Sequence, residues 1–318
     1  MLRFGIVGTN FISEWFAAAC RRTQGRAEAV AVCSRQLPRA EDFAGKAGVA
    51  SAFDDLDAML EVVDALYVAS PNAAHRGHAL QAIGAGRHVL VEKTMGTSAG
   101  EVEEIFAAAD GAGVIAMEAV RNVHNPVHQL VRDSLPRLGA LRHARFEKLQ
   151  YSSRYDKFRQ GEITNAFDPA LGNSALADIG VYCLQPALDL FGSPERTTGA
   201  SVRLDNGFEG GGSLVLDYGW LVADIVYSKV ASGLGPSVIN GEDATLVMND
   251  PGETSRIVLH ERKGDMSVLL DAGPVEPADM MHHEVLDFVD QVDAGATDPR
   301  WSQLSLTSRR VMDEQLAR

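Results

Sequence analysis

The stretch Gly5-Ile-Val-Gly-Thr-Asn-Phe-Ile-Ser13 follows Met1-Leu-Arg-Phe4 directly, and its reading decides the fold. Residues 3–7 read as a short buried strand. A helical pattern then places Ile12, Trp15, Phe16, Ala19 and Cys20 on one face. A dinucleotide-binding turn between strand and helix uses three small residues. The first permits a tight turn, the second lets backbone approach a pyrophosphate, and the third lets helix and strand pack closely. Gly8, Asn10 and Ser13 hold those places, within the stretch Gly8, Thr9, Asn10, Phe11 and Ile12. Asparagine tolerates positive φ better than other non-glycine residues, so the turn is expected to survive the replacement. A helix starting near Asn10 would aim its free N–H groups at a phosphate.

Outward from the turn, strand and helix alternate to about residue 120. Buried-strand runs are Ala29–Cys33, a weak one near Ala50–Phe53, Ala65–Ser70, His88–Lys93 and Val114–Ala119. Near-continuous apolar strands alternating with helices mark a parallel sheet covered on both faces. After residue 120 the pattern changes to a helix at 125–135, a strand near 142–150, a polar loop at 152–174 and a helix at 175–191. Long strand-like segments follow, including 213–231 and 254–262, and helices at 279–294 and 303–318 close the chain. The expected class is α/β: an N-terminal Rossmann doubly wound parallel sheet (1–120), plus a C-terminal α+β domain (121–318) with a mostly antiparallel open sheet. The 303–318 helix is a candidate to pack back on the first domain. Segment 213–231 is apolar in both phases, so one sheet face is expected to cover helices and the other a partner subunit, giving a homodimer or homotetramer.

Composition narrows the function. With 318 residues, two cores are affordable. A formal net charge of −14 argues against nucleic-acid or anionic-membrane partners, which need a positive surface field. No apolar run reaches the roughly 18–20 residues of a membrane span, and because the N-terminus enters a strand at once, no signal peptide is expected. Cys20, Cys33 and Cys183 are odd in number and widely spaced, which suits a reducing cytoplasm and offers no metal spacing. His75 and His78 lack a third ligand, so no metal is expected.

Beyond the second strand, NAD-binding proteins usually place a carboxylate for the ribose hydroxyls. Here the sequence is Cys33-Ser-Arg-Gln-Leu-Pro-Arg39. Ser34, Arg35 and Arg39 suit a 2′-phosphate, so NADP is favoured, with NAD as the alternative.

Three further stretches carry a family resemblance: Tyr67–Lys93 (YVASPNAAHRGHALQAIGAGRHVLVEK), Met117–Asn122 (MEAVRN) and Leu171–Gly192 (LGNSALADIGVYCLQPALDLFG). They resemble, in order and spacing, the Gfo/Idh/MocA family of oxidoreductases, nearest its dihydrodiol dehydrogenase and sugar-oxidoreductase branches. The resemblance implies Lys93 beside the nicotinamide, Tyr182 at the acid/base position and Asp178 lining the same site. Ser70, Pro71, Asn72, His75 and Arg121 would border the cofactor, with Glu92 beneath it. It implies hydride transfer between a nicotinamide and an alcohol or carbonyl carbon of a sugar, polyol or cyclic diol. The alternative is a non-catalytic NADP-binding sensor.

Two departures stand out. Thr94 replaces the family's proline, and a cis bond before a non-proline residue costs about 2.5–4 kcal/mol. A trans Lys93–Thr94 bond is therefore expected. Gly172-Asn-Ser174 replaces a glycine-rich run. Helix geometry adds its own support, because Asp178, Tyr182, Gln185 and Asp189 fall on one polar stripe. A tyrosine of ordinary pKa, about 10, works as an acid/base only beside a cation. Lys93, at the carboxyl end of a parallel strand, would supply one.

Overall fold

A computed structural model describes residues 1–317. They divide into two compact units, residues 1–125 with 276–306, and residues 126–275 with those from Thr307 on. The first unit alternates β1 (Leu2–Val7), α1 (Phe11–Arg21), β2 (Ala27–Cys33), α2 (Leu37–Ala47), β3 (Ser51–Phe53), α3 (Leu56–Leu60), β4 (Ala65–Val68), α4 (Asn72–Gly84), β5 (His88–Glu92), α5 (Ala99–Ala112) and β6 (Ala116–Ala119). The strands pair in parallel in the order β3-β2-β1-β4-β5-β6. Every residue of β4 and β6 is buried, which is why these strands show no polar alternation.

Strand register is what positions the site. Val7 pairs with Cys33 and Val68, Val68 with Val91, and Glu92 with Ala119. Gly8, Ser34, Ala69, Lys93 and Val120 therefore emerge along one carboxyl edge. Strand order reverses between β1 and β4, and ligands of such sheets bind at that reversal.

Packing fixes α1 over this edge. Phe16 stacks on Tyr67 of β4 with centroids 3.7 Å apart, and Phe4 meets Phe16 edge-on at 5.2 Å. All three rings are fully buried, each stabilising the unit by about 1.5–3 kcal/mol. The buried positions of α1 are Ser13, Phe16, Ala17, Ala19 and Cys20. The expected face is thus rotated: Ile12 and Trp15 are only half-buried, and Ser13 takes a core position because its small side chain lets the helix approach the strand.

The second unit contains α6 (Pro126–Ser134), β7 (Leu141–Leu149), α7 (Tyr155–Arg159), α8 (Val181–Phe191), β8 (Arg196–Arg203), β9 (Glu209–Asp217), β10 (Val222–Ser228), β11 (Ser237–Gly241), β12 (Ala244–Met248), β13 (Arg256–Glu261) and β14 (Met266–Asp271). Its sheet runs β14-β13-β12-β11-β7-β10-β9-β8, antiparallel except for the β7–β10 pair. The α/β class with a mostly antiparallel second sheet is as expected. The single strand expected over 213–231 is instead β9 and β10, joined by a turn in which Gly219 has φ +75°. Apolar residues in both phases had hidden that turn. One face, with Ala144, Phe146, Leu214, Ile225 and Tyr227, is buried under α8. On the other face Val215, Val226, Val238 and Val247 are half-buried.

Two helices complete the chain, α9 (Pro277–Ala294) and α10 (Pro299–Leu316). The single division expected at residue 120 needs correction. α9 belongs to the first unit, where Phe288 packs on Phe4 at 5.6 Å and Arg26 pairs with Asp290 and Asp293. α10 is shared: its residues to Leu306 count with the first unit and those from Thr307 with the second.

Candidate functional site

The turn after β1 is built around bare backbone. Gly8 has φ +118°, and a Cβ placed on it would stand 2.5 Å from the Ala69 carbonyl oxygen. Asn10 does not take the positive φ expected of it. Its backbone is extended (φ −102°, ψ 179°), and it caps α1 by accepting from the Ser13 N–H at 3.2 Å. Its Nδ2 donates to the same Ala69 carbonyl at 2.9 Å. Asparagine here ties the start of α1 to the end of β4, work that a glycine could not do. Thr9 is half-buried in the turn. Phe11 and Ile12 open the helix, where backbone N–H groups lack intrahelical acceptors.

Beyond β2, the Ser34 N–H donates to the Phe53 carbonyl, while Arg35 and Arg39 are exposed. Neither guanidinium has an ion-pair partner among the described residues, although the chain carries a net charge of −14. Two unneutralised arginines at that corner fit the 2′-phosphate of NADP, and the cradle at Gly8 fits a pyrophosphate.

The loop after β4 and the end of β5 are joined by one histidine. Ser70 is half-buried, Pro71 caps α4, and Asn72 begins it. His75, fully buried on α4, places Nδ1 2.9 Å from the Thr94 carbonyl and Nε2 2.7 Å from the Ser70 carbonyl. Burial pulls its pKa down to about 4, so it is neutral at physiological pH and donates to one of the two carbonyls. His78 meets the Ser70 hydroxyl at 2.9 Å.

The Lys93–Thr94 peptide is cis, contrary to the trans bond expected. Backbone groups around it are claimed from outside the segment: the Thr94 carbonyl by His75, and the Met95 N–H by Glu118 at 2.8 Å. Tertiary hydrogen bonds override the local preference.

Beneath Lys93 lies a buried acidic cluster. Glu92 accepts a short hydrogen bond from the Tyr67 hydroxyl and another from the Lys93 N–H at 3.2 Å. Burial raises its pKa, against the opposing pull of Tyr67, Lys93 and Arg121. Glu284 of α9 is 1% exposed, and its Oε2 finds no hydrogen-bond partner among the described residues. Burial, reinforced by the charge of Glu92, holds its carboxyl well above the ordinary range. Arg121, buried and 5.9 Å above the Trp15 ring, opposes both shifts. Tyr67 and Glu284 were not singled out in the sequence; a lone glutamate in the apolar pattern Met280–Val289 was the available signal.

In the second unit, α8 is entered through a π-helical turn, Leu176–Gly180, that carries Asp178. Such turns are frequent at functional sites. The Leu176 N–H donates to Glu209 at 2.9 Å, and the Ala177 N–H to the Ser174 hydroxyl at 3.0 Å. Gly180 lets the turn sit on β10, because a Cβ there would stand 2.9 Å from the Tyr227 ring. Asp178 pairs with Lys229 at 2.7 Å. Tyr182 is 6% exposed, with the Lys148 ammonium 6.0 Å from its ring centroid. The far end of the polar stripe is structural: Asp189 is held by His128 and Arg132, and Gln185 is buried. Lys229 escaped the sequence reading because it closes an apolar run.

A bare glycine turn at the sheet's switch point, unpaired arginines beyond β2 and a lysine just past β5 fit a dinucleotide-binding fold. Residues 2–120 match the model of an oxidoreductase family described as having an NAD-binding Rossmann fold. The chain is 36% identical, over 99% of its length and 96% of the relative's, to scyllo-inositol 2-dehydrogenase (NADP(+)) IolU of Bacillus subtilis. It is 28% identical to trans-1,2-dihydrobenzene-1,2-diol dehydrogenase of Bos taurus, over 82% of this chain and 79% of that one. Among solved structures, the 3-ketoreductase KijD10 of Actinomadura kijaniata, in complex with NADP and TDP-benzene, superimposes with a TM-score of 0.86 at 26% identity. The match covers 99% of this chain and 96% of that one. That ketoreductase has also been solved as a lysine-to-alanine and a tyrosine-to-phenylalanine variant. The chain belongs to the Gfo/Idh/MocA family and is a nicotinamide-dependent oxidoreductase acting on CH–OH groups.

Proposed function

We propose that this protein is an NADP(H)-dependent dehydrogenase of a ring-shaped polyol, with Lys93 and Tyr182 as its polar catalytic pair and Asp178 in support. The observation that carries the reading is the carboxyl edge of the first sheet. There Gly8, Ser34 and Lys93 emerge in register, and unpaired Arg35 and Arg39 stand beyond β2. The names of the relatives, an inositol dehydrogenase and cyclic-diol dehydrogenases, support a cyclic substrate with neighbouring hydroxyls.

The nicotinamide, when bound, supplies hydride acceptance or donation. The chain's own residues do the rest. Gly8, Thr9 and the first amides of α1 hold the pyrophosphate; Ser34, Arg35 and Arg39 hold the 2′-phosphate; Ser70, Pro71, Asn72 and Arg121 border the remainder. His75 fixes the Ser70 and Thr94 carbonyls, and Glu92 fixes the Lys93 amide, so the lysine starts from a rigid backbone. Tyr182 moves the proton at the substrate oxygen. Lys93 stabilises the negative charge that develops there, and Asp178 supports the pair by accepting from a neighbouring substrate hydroxyl.

The half-buried valines of the second sheet's outer face support association of like subunits into a homodimer or homotetramer. Three buried free thiols support a cytoplasmic setting. The test uses scyllo-inositol and NADP(+), followed at 340 nm. K93A and Y182F should each lower kcat by about 10²–10⁴-fold while NADPH affinity stays within a few-fold. Wild-type turnover in both variants would overturn the assignment.

A further inference from the structure

Lys229 follows the last residue of β10 and is 3% exposed. A buried ammonium survives only where its charge and its N–H groups are met. Lys229 Nζ donates to Asp178 Oδ2 at 2.7 Å and to the Ala166 carbonyl at 2.9 Å. It lies 5.0 Å from the Phe167 ring centroid and 5.5 Å from that of Phe208. The two acceptors belong to different segments. Asp178 sits on the π-helical turn that enters α8, with 40% of its side chain exposed. Ala166 sits in the irregular stretch 160–174, which Phe167 pins by packing on Tyr155, Phe158 and Phe208. That stretch has few backbone hydrogen bonds of its own beyond short turns.

We propose that Lys229 is a positioning residue: one buried ammonium, lying beside the touching rings of Phe167 and Phe208, locks the 163–168 turn and the Asp178 carboxylate into a single arrangement. Asp178 thereby meets a substrate hydroxyl as an oriented acceptor, and the turn beside it is ordered by the same group. An acceptor oriented in this way favours a substrate with two neighbouring hydroxyls, one to react and one to donate to Asp178. The substrate part of this inference rests on the placement of Asp178 in the reaction site proposed above.

The test combines two readouts on the full-length protein. In the first, trypsin cleavage after Lys157 and Arg159 is followed by mass spectrometry without substrate. K229M should speed cleavage about tenfold or more, because the turn loses its anchor, and K229Q, which keeps a shorter donor, should fall between. A folded K229M or K229Q cleaved at the wild-type rate overturns the anchoring role. In the second, kcat/KM is measured for scyllo-inositol with NADP(+). K229M and D178N should each lose about 10²-fold, the scale of a misplaced contact. The double variant should stay within about threefold of D178N alone, since both act through one carboxylate. An impaired D178N beside a wild-type K229M, or losses that multiply in the double variant, overturns the positioning role while leaving the proposed site intact. A D178N of wild-type activity instead removes Asp178 from the site and defeats the earlier reading. If scyllo-inositol is not turned over, the cleavage rates decide the anchoring role.

Discussion

Replacing Gly8 by alanine tests how the turn works, because the structure separates two costs. The backbone there has φ +118°, a region L-residues rarely adopt, and the new Cβ would stand 2.5 Å from the Ala69 oxygen and 2.9 Å from its carbon. Those are backbone atoms at the end of β4, anchored by the β1–β4 ladder, so they cannot swing aside as a side-chain tip would. Strain of about 1–3 kcal/mol adds to overpacking of about 1–3 kcal/mol. The sum, about 2–6 kcal/mol, corresponds to a melting temperature lower by roughly 5–20 °C for a unit of this size. Gly25→Ala is the control: its φ is +81°, but nothing lies within 4 Å of the added Cβ, so only strain remains. The Ala69 oxygen also accepts from Asn10, so G8A should loosen the cap of α1 and weaken NADPH binding, whereas G25A should not. Thermal melts and NADPH fluorescence titrations of both variants provide the assay. A G8A protein that melts no lower than G25A and binds NADPH as wild type does would refute the reasoning.

R35E/R39E should lose about 10²-fold in NADPH affinity while NADH affinity changes little; equal losses for both would remove the arginines from the 2′-phosphate. His75 is neutral in the folded chain, so the unfolded chain takes up its proton first as pH falls below 6.5. Its contribution is complete above that pH and drains away down to about pH 4, by about 3 kcal/mol in all. Chemical denaturation across that window should show a flatter acid limb for H75Q, and parallel limbs would contradict the assignment. Glu284 has the opposite sign. Its raised pKa stabilises the fold below the ordinary carboxyl value of 4.5, and that stability is lost as pH rises through the folded value. E284Q should therefore lose less stability than wild type on going to alkaline pH, and an unchanged slope would show that Glu284 does not carry a proton in the fold.

Local chemistry made much of this legible. The β1–turn–α1 unit, the alternation to residue 120 and the arginines beyond β2 are short-range features, and each stands where the sequence placed it. What escaped depends on residues far apart in the chain. Asn10 reads as a substitute for glycine until Ala69, 59 positions on, is seen to need its amide. The cis bond before Thr94 is held by His75 and Glu118, neither of them a sequence neighbour. β8, Arg196-Thr-Thr-Gly-Ala-Ser-Val-Arg203, is mostly exposed and polar, so it carries no hydrophobic period to read. The return of α9 to the first unit rests on Phe288 finding Phe4, and the Lys229–Asp178 pair joins residues 51 positions apart, which no local pattern announces.

The central claim is that a phosphorylated nicotinamide dinucleotide binds across the carboxyl edge of β1 and β4. Calorimetric titration of the purified protein with NADPH and, separately, NADH tests it most directly. The account predicts one site per chain and tighter binding of NADPH, with the preference lost in R35E/R39E. No heat with either coenzyme, or tighter binding of NADH by the wild-type protein, would contradict it.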